Sequence, residues 1–196
     1  MIILLDTQQA IFQHIAEHQG LIAKVYELLG TEIASFSKTM SDALLNGCTV
    51  FWCGNGGSAA DSQHLAAELV GRFQKDRRPL RSVALTTDTS IITSVSNDYT
   101  YDDIFSRQVE ALSNPGDVLI GISTSGRSEN VLRAFKMARS LGVKTLGLLG
   151  KDGGAARSLV DRSIVIPSES TARIQEAHIL IGHILCDLIE RELDLV

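Results

Sequence analysis

From residue 48 onward, short apolar runs alternate with stretches of helical periodicity, and that alternation restricts the chain to few folds. The runs are TVFWC at 49–53, SVALT at 82–86, DVLIGI at 117–122, KTLGLL at 144–149 and RSIVI at 162–166. Each is near-continuous rather than alternating, as expected for strands covered on both faces of their sheet. Helical spacing fills the gaps at 58–72, 89–96, 101–112, 128–141 and 154–159, and a closing helix runs from about 171 to 194. Strands joined by crossover helices pair in parallel. The expected fold is α/β, a parallel five-stranded sheet flanked by helices.

Residues 8–46 hold no strand-like run. Ile11, Phe12 and Ile15 recur at helical spacing, as do Ile33, Phe36, Met40 and Leu44, with Gly30 between the two sets. The expected organisation is one domain over 1–196, with an N-terminal helical segment (1–46) and an α/β core that includes the last helix (47–196). A chain of 196 residues can bury a substantial core. Its net charge of −5 argues against nonspecific nucleic-acid binding. Three cysteines, Cys48, Cys53 and Cys186, are scattered without CxxC spacing, which reads as a reducing, cytoplasmic setting. The start, MIILLDTQQ, lacks the basic region of a signal peptide. The longest apolar stretch, near 179–189, is broken by His183 and Asp187 and is too short to span a bilayer.

Two turns have the composition of anion sites. Gly54-Asn55-Gly56-Gly57-Ser58 follows the first run, and its glycines let a ligand approach the backbone and the positive end of the next helix. Ser123-Thr124-Ser125-Gly126-Arg127-Ser128 follows the third run and places four hydroxyls at a helix start. Either alone reads as a strand–helix junction with a Ser cap. Two at the C-terminal ends of parallel strands point to a ligand site. The chain has no GxxxxGK[ST]. Residues 54–59 fit a relaxed GxGxxA pattern, yet the nearest acid for a ribose, Asp88, lies about ten residues beyond the usual spacing. A sugar phosphate therefore fits better than a dinucleotide.

Metal and acid–base chemistry is signalled at two places. His64 and Glu68 are four apart and share a helix face, a spacing that suits joint coordination of Zn²⁺. The last helix carries Gln175, Glu176, His178 and His183. Gln175 and His183 are separated by about 12 Å of rise and about 80° of rotation on a straight helix. Both reach one ion only through bending, convergence of long side chains or sharing between subunits, and His178 is the geometric rival of His183. His14 and His18 lack acidic company and read as surface groups. The connector 72–81, RFQKDRRPLR, holds five basic residues and one acid and reads as a solvated loop. The last helix is apolar around much of its circumference, from Ile174 to Ile189, and implies wide burial in an oligomer.

Taken together, CGNGGSAADSQH with Glu68, ALTTDTS, SNDY, GDVLIGISTSGRSENV, TLGLLGKDGG and TARIQEAHILIGHILCDLIE resemble the bacterial phosphoheptose isomerases of the sugar isomerase (SIS) domain family. The resemblance covers residues 30–192. It implies a flavodoxin- or Rossmann-like three-layer sandwich and a homotetramer, with the N-terminal helices used in assembly. It implies interconversion of sedoheptulose 7-phosphate and D-glycero-D-manno-heptose 7-phosphate on the way to ADP-heptose and lipopolysaccharide core. The zinc ligands of the family, one ion per subunit, fall on His64, Glu68, Gln175 and His183. Substrate contacts fall on Asn55, Gly56, Gly57, Glu68, Asn97, Asp98, Ser123, Thr124, Ser125, Ser128 and Gln175. Glu68 and His183 are the residues suited to acid–base work in an aldose–ketose isomerisation. Where some members carry an acid shortly before the Gln, this chain has Thr171 and Ala172. A related tetramer that binds the replication initiator DnaA is the alternative. The intact Asn55-Gly56-Gly57, His64 and Glu68 favour the enzyme.

Overall fold

The five apolar runs become five parallel strands, β1 (Val50–Gly54), β2 (Ser82–Ala84), β3 (Val118–Ser123), β4 (Lys144–Gly150) and β5 (Arg162–Ile166). They are seen in a computed structural model that describes the backbone of residues 2–195 and the side chains of residues 6–195. The helices are α1 (Ile2–Leu28), α2 (Gly30–Leu45), α3 (Gly57–Val70), α4 (Thr89–Asp98), α5 (Ser106–Leu112), α6 (Glu129–Ser140), α7 (Ala156–Leu159) and α8 (Thr171–Glu192). The break between α1 and α2 falls at Leu29, so Gly30 opens the second helix instead of separating the two. The helix expected over 101–112 is a 3-10 turn at Tyr101–Asp103 followed by α5, with Ile104 and Phe105 buried between them.

The strand order is β2-β1-β3-β4-β5. The chain lays β2 on one side of β1, then crosses to the other side for β3. That reversal is the topological switch point of an open α/β sheet, and ligands bind beyond the strand ends there. The register sets Gly54 beside Ile122, so the two Gly/Ser turns leave adjacent strand ends almost side by side.

Successive strand residues face opposite layers. Val50, Trp52, Ile120 and Leu148 join Phe36 and Met40 of α2, Leu65 of α3 and Ile181 and Leu185 of α8. Phe51, Cys53, Leu119 and Leu149 join Val95 of α4, Val109 of α5 and Phe135 of α6. The result is a three-layer sandwich. Helix α8 approaches α3 closely because residue 182 is glycine; a Cβ there would stand 2.5 Å from Leu65 Cδ1. Helix α1 docks on α8 through His18, whose Nδ1 is 2.7 Å from Glu176 Oε2, and through Arg173, which bonds the His14 carbonyl. His18 is thus a helix–helix contact and not the surface group expected from its sequence surroundings.

The basic connector also departs from expectation. The Arg77 side chain is 1% exposed and its Nε donates to Glu190 Oε1 at 2.6 Å, with the Glu190 side chain fully buried. Arg77 further donates to the carbonyls of Glu68 and Leu69, both at 2.9 Å, so a buried cation closes the C-terminal end of α3. Burial alone would raise the Glu190 carboxyl, but the Phe73 N–H, the Arg77 guanidinium and the Gln74 N–H together hold it below its ordinary value. The loop is solvated at Arg72, Lys75 and Arg78, whereas Arg77 is drawn inward by a carboxylate that the sequence places 113 residues away.

Removing one partner of such a pair leaves the other charge buried and unpaired. Arg77→Met is expected to lower the unfolding free energy by about 3–5 kcal/mol, and Arg77→Met with Glu190→Leu to recover part of it. Urea denaturation of the two variants beside the parent measures both effects.

Candidate active site

The first turn delivers the chain from β1 into α3. Gly56 sits at the N-cap with φ 55° and ψ −121°, a backbone region that side-chain-bearing residues avoid, and no side chain caps the helix. The Ser58 and Ala59 N–H groups turn back onto the Asn55 and Gly56 carbonyls, both at 3.0 Å, so it is the positive dipole end of α3 that faces the switch point. Asn55 is held by a small amide network. Its Oδ1 accepts from Tyr101 Oη at 2.9 Å and from Asn130 Nδ2 at 2.8 Å, and its Nδ2 donates to Asn130 Oδ1 at 2.9 Å. Asn130 is buried, and its Oδ1 accepts again from the Val131 N–H.

In the second turn, Ser123 Oγ accepts from the Gly126 N–H at 3.1 Å and lies 3.3 Å from Ser128 Oγ. Ser128 occupies the N-cap of α6 but makes no cap bond with its hydroxyl, and Ser125 Oγ takes the Arg127 N–H. The loop after β4 braces this turn through the Arg127–Asp152 ion pair at 2.6 Å and the Ala156 N–H on the Gly126 carbonyl. Helix-start N–H groups edged by hydroxyls form a suitable cradle for a phosphate monoester.

The third part of the site lies between α3 and α8. His64 Nε2 is 2.9 Å from His183 Nε2 and 3.4 Å from Glu68 Oε1. One donor atom from each of His64, Glu68 and His183 falls within 4.8 Å of the others. Two imidazole nitrogens on a tetrahedral Zn²⁺ stand about 3.3 Å apart, so this donor set and spacing fit zinc. The His64 ring meets His183 edge-on, with centroids 5.1 Å apart. Asp61, one turn earlier on α3, has a buried Oδ2 without a partner among the described residues; burial raises its carboxyl, and nearby His64 opposes the shift.

The remaining sequence candidates separate. Gln175 lies two turns before His183 on α8, and its amide rests against Gly57; a Cβ on Gly57 would stand 2.5 Å from Gln175 Nε2. His178 is not a rival of His183. It is fully buried, its Nε2–H donates to the Leu149 carbonyl at 3.0 Å, and its Nδ1 has no partner among the described residues. Burial pushes the imidazole down to about 4 despite the Leu149 hydrogen bond. Asn97 and Asp98 are exposed at the end of α4 and bond each other at 2.8 Å. Asp88 caps α4 by accepting the Ile91 N–H, a structural role that removes it as a ribose acid. Asn130, Tyr101 and Asp61 carried no spacing signal; only contact in three dimensions reveals them.

A sequence profile of the SIS domain matches residues 13–150. The phosphoheptose isomerase of Nitratiruptor sp. is 57% identical over 178 residues, 91% of this chain and 95% of that protein. The structure of a phosphoheptose isomerase from Neisseria gonorrhoeae superposes with a TM-score of 0.90 at 42% identity, over 94% of this chain and 99% of the other. One from Francisella tularensis gives 0.92 at 38% identity, over 94% and 98%.

The buried His178 makes stability depend on pH. Its folded-state value is depressed from 6.5 to about 4, so the unfolded chain binds the proton first and stability falls as pH drops through that window. The loss from this residue amounts to about 3 kcal/mol. His178→Gln, which keeps a donor for Leu149, is expected to flatten this part of a plot of unfolding free energy against pH.

Proposed function

The chain belongs to the SIS domain family, and on that premise we propose that it is a phosphoheptose isomerase. It interconverts sedoheptulose 7-phosphate and D-glycero-D-manno-heptose 7-phosphate through an enediolate. The observation that carries this reading is the convergence of His64, Glu68 and His183 at the helix pair whose first member opens from the switch-point turn. A phosphate-binding domain without chemistry has no use for such a cluster. The DnaA-binding alternative leaves it equally idle.

The proposed assignments are those that the family resemblance implies. Ser123, Thr124, Ser125 and Ser128 take the phosphate. Asn55, Gly56 and Gly57 hold the sugar end near the chemistry, with Gln175 against Gly57 and Asn97 and Asp98 as further hydroxyl contacts. Moving the carbonyl between C1 and C2 needs one group to take the carbon-bound proton and another to serve the oxygens. Glu68 and His183 are the pair proposed for these two tasks: the proton taken from one substrate carbon is returned to its neighbour by one of them, and the other carries a proton between the two substrate oxygens. Zn²⁺, one per subunit, would be held by His64, Glu68, Gln175 and His183. When bound it supplies Lewis-acid stabilisation of the developing oxyanion.

The proposed setting is cytoplasmic and the proposed pathway is ADP-heptose synthesis for lipopolysaccharide core. Cys48, Cys53 and Cys186 are all free, which agrees with a reducing compartment, and no described helix is long and apolar enough to cross a membrane. The chain is proposed to act as one SIS domain assembled into a homotetramer, without direct contact to nucleic acid. Ile22, Val25, Tyr26 and Ile33 line an apolar groove of about 490 Å³ with Leu180, Ile184 and Leu188. Phe12 on α1 is 70% exposed. Apolar surface of this kind on α1 and α8 suits burial against other copies.

Turnover of sedoheptulose 7-phosphate, lost with a chelator and restored by added Zn²⁺, is the expected result of an isomerase assay; no turnover in either condition refutes the assignment. Glu68→Gln and His183→Gln are each expected to lower kcat by about 10²-fold or more. Light scattering at micromolar concentration is expected to give a tetramer, and Phe12→Asp a smaller species.

A further inference from the structure

We propose that the basic connector between α3 and β2 is a strap that sets the acid–base pair, with Phe73 as the positioning residue of His183. The inference rests on the isomerase reading above. The Phe73 ring is stacked on the His183 imidazole, with centroids 5.6 Å apart and planes 26° from parallel. His64 meets the same imidazole edge-on at 73°. His183 is therefore held by a face and an edge, which fixes the ring torsion that aims Nε2 at the His64–Glu68 cluster. Flanking groups that orient a ligating histidine characteristically govern metal affinity, and misplacement of a catalytic group by about 1 Å is costly in rate.

The strap is itself anchored. Glu190, two turns after His183 on α8, accepts the Phe73 N–H at 3.0 Å and the Gln74 N–H at 3.3 Å. Arg77 binds the same carboxylate and returns to the Glu68 carbonyl at 2.9 Å. One short segment thus grips α8 beside His183 and α3 at Glu68. Phe73 is only half-buried at the edge of the core, where a residue recruited for packing alone has no need of a planar ring parallel to an imidazole.

Phe73→Leu keeps apolar bulk and loses the stack, and Phe73→Tyr keeps the ring. Three readouts are compared: zinc affinity of the metal-stripped protein against a chromophoric chelator, kcat and KM on sedoheptulose 7-phosphate, and the imidazole ¹⁵N shifts of His183 without metal. For Phe73→Leu the expected result is a loss of about 10-fold or more in zinc affinity and in kcat. KM should stay within about two-fold, with a tautomer-averaged His183 spectrum and an unfolding midpoint near that of the parent, and Phe73→Tyr should restore all of these. Unchanged His183 shifts in Phe73→Leu, unchanged zinc affinity and kcat, or a Phe73→Tyr variant as impaired as the leucine overturn the proposal. The shifts require neither turnover nor metal. A parent that fails to isomerise while Phe73→Leu still disorders His183 refutes the isomerase reading and leaves the strap standing.

Discussion

The close packing of α3 on α8 is the contact on which the rest of the site depends. Leu65 seats against Gly182, and the two helices run side by side from Gly57–Gln175 at one end to Arg77 and Glu190 at the other. His64 and Glu68 ride on one helix and His183 on the other, so their separation is set by this interface and by nothing local to either sequence segment. A larger residue at 182 would push the helices apart and pull His183 from His64, even though position 182 carries no functional group. The buried ion pair closes the same interface at its far end, where unpaired carbonyls of α3 would otherwise face an apolar layer.

The site divides between two kinds of support. Its two Gly/Ser turns hang from adjacent strand ends and inherit the rigidity of the sheet. The proposed acid–base groups sit on helices, one of which begins in the first turn. Helix α3 therefore bridges the two halves: it starts in the first turn, and its third and fourth turns carry His64 and Glu68. Strain or movement in the turn has a direct route to His64 and Glu68.

Much of this was legible in the sequence, and the reasons are periodic. Near-continuous apolar runs required a sheet covered on both faces, and TVFWC, DVLIGI and KTLGLL form its central strands. His64 and Glu68 are four apart on one helix, so their partnership needed no tertiary information. Helix spacing alone could not choose between His178 and His183; the family resemblance pointed to His183, and only the packing gives the physical reason. Both lie on a helix apolar around much of its circumference, and which face meets the sheet at Leu149 and which meets α3 at Gly182 is decided by those contacts, not by the helix itself. Arg77 was hidden in a charge run whose partner lies at the far end of the chain. Asn130 and Phe73 matter through Asn55 and His183, residues far away along the chain, a relation that carries no period.

The amide network at Asn55 has a consequence for stereochemistry. A primary amide offers two donors and two acceptor sites. Tyr101 and Asn130 occupy both acceptor sites of Asn55 and one of its donors, which leaves a single N–H with a fixed heading. The turn cannot rotate this group to suit whatever arrives. Under the role proposed for Asn55, an epimer whose oxygen points elsewhere would strand that N–H without a partner, and the turn would select among sugars by the mismatch it refuses to relieve as much as by the contact it makes.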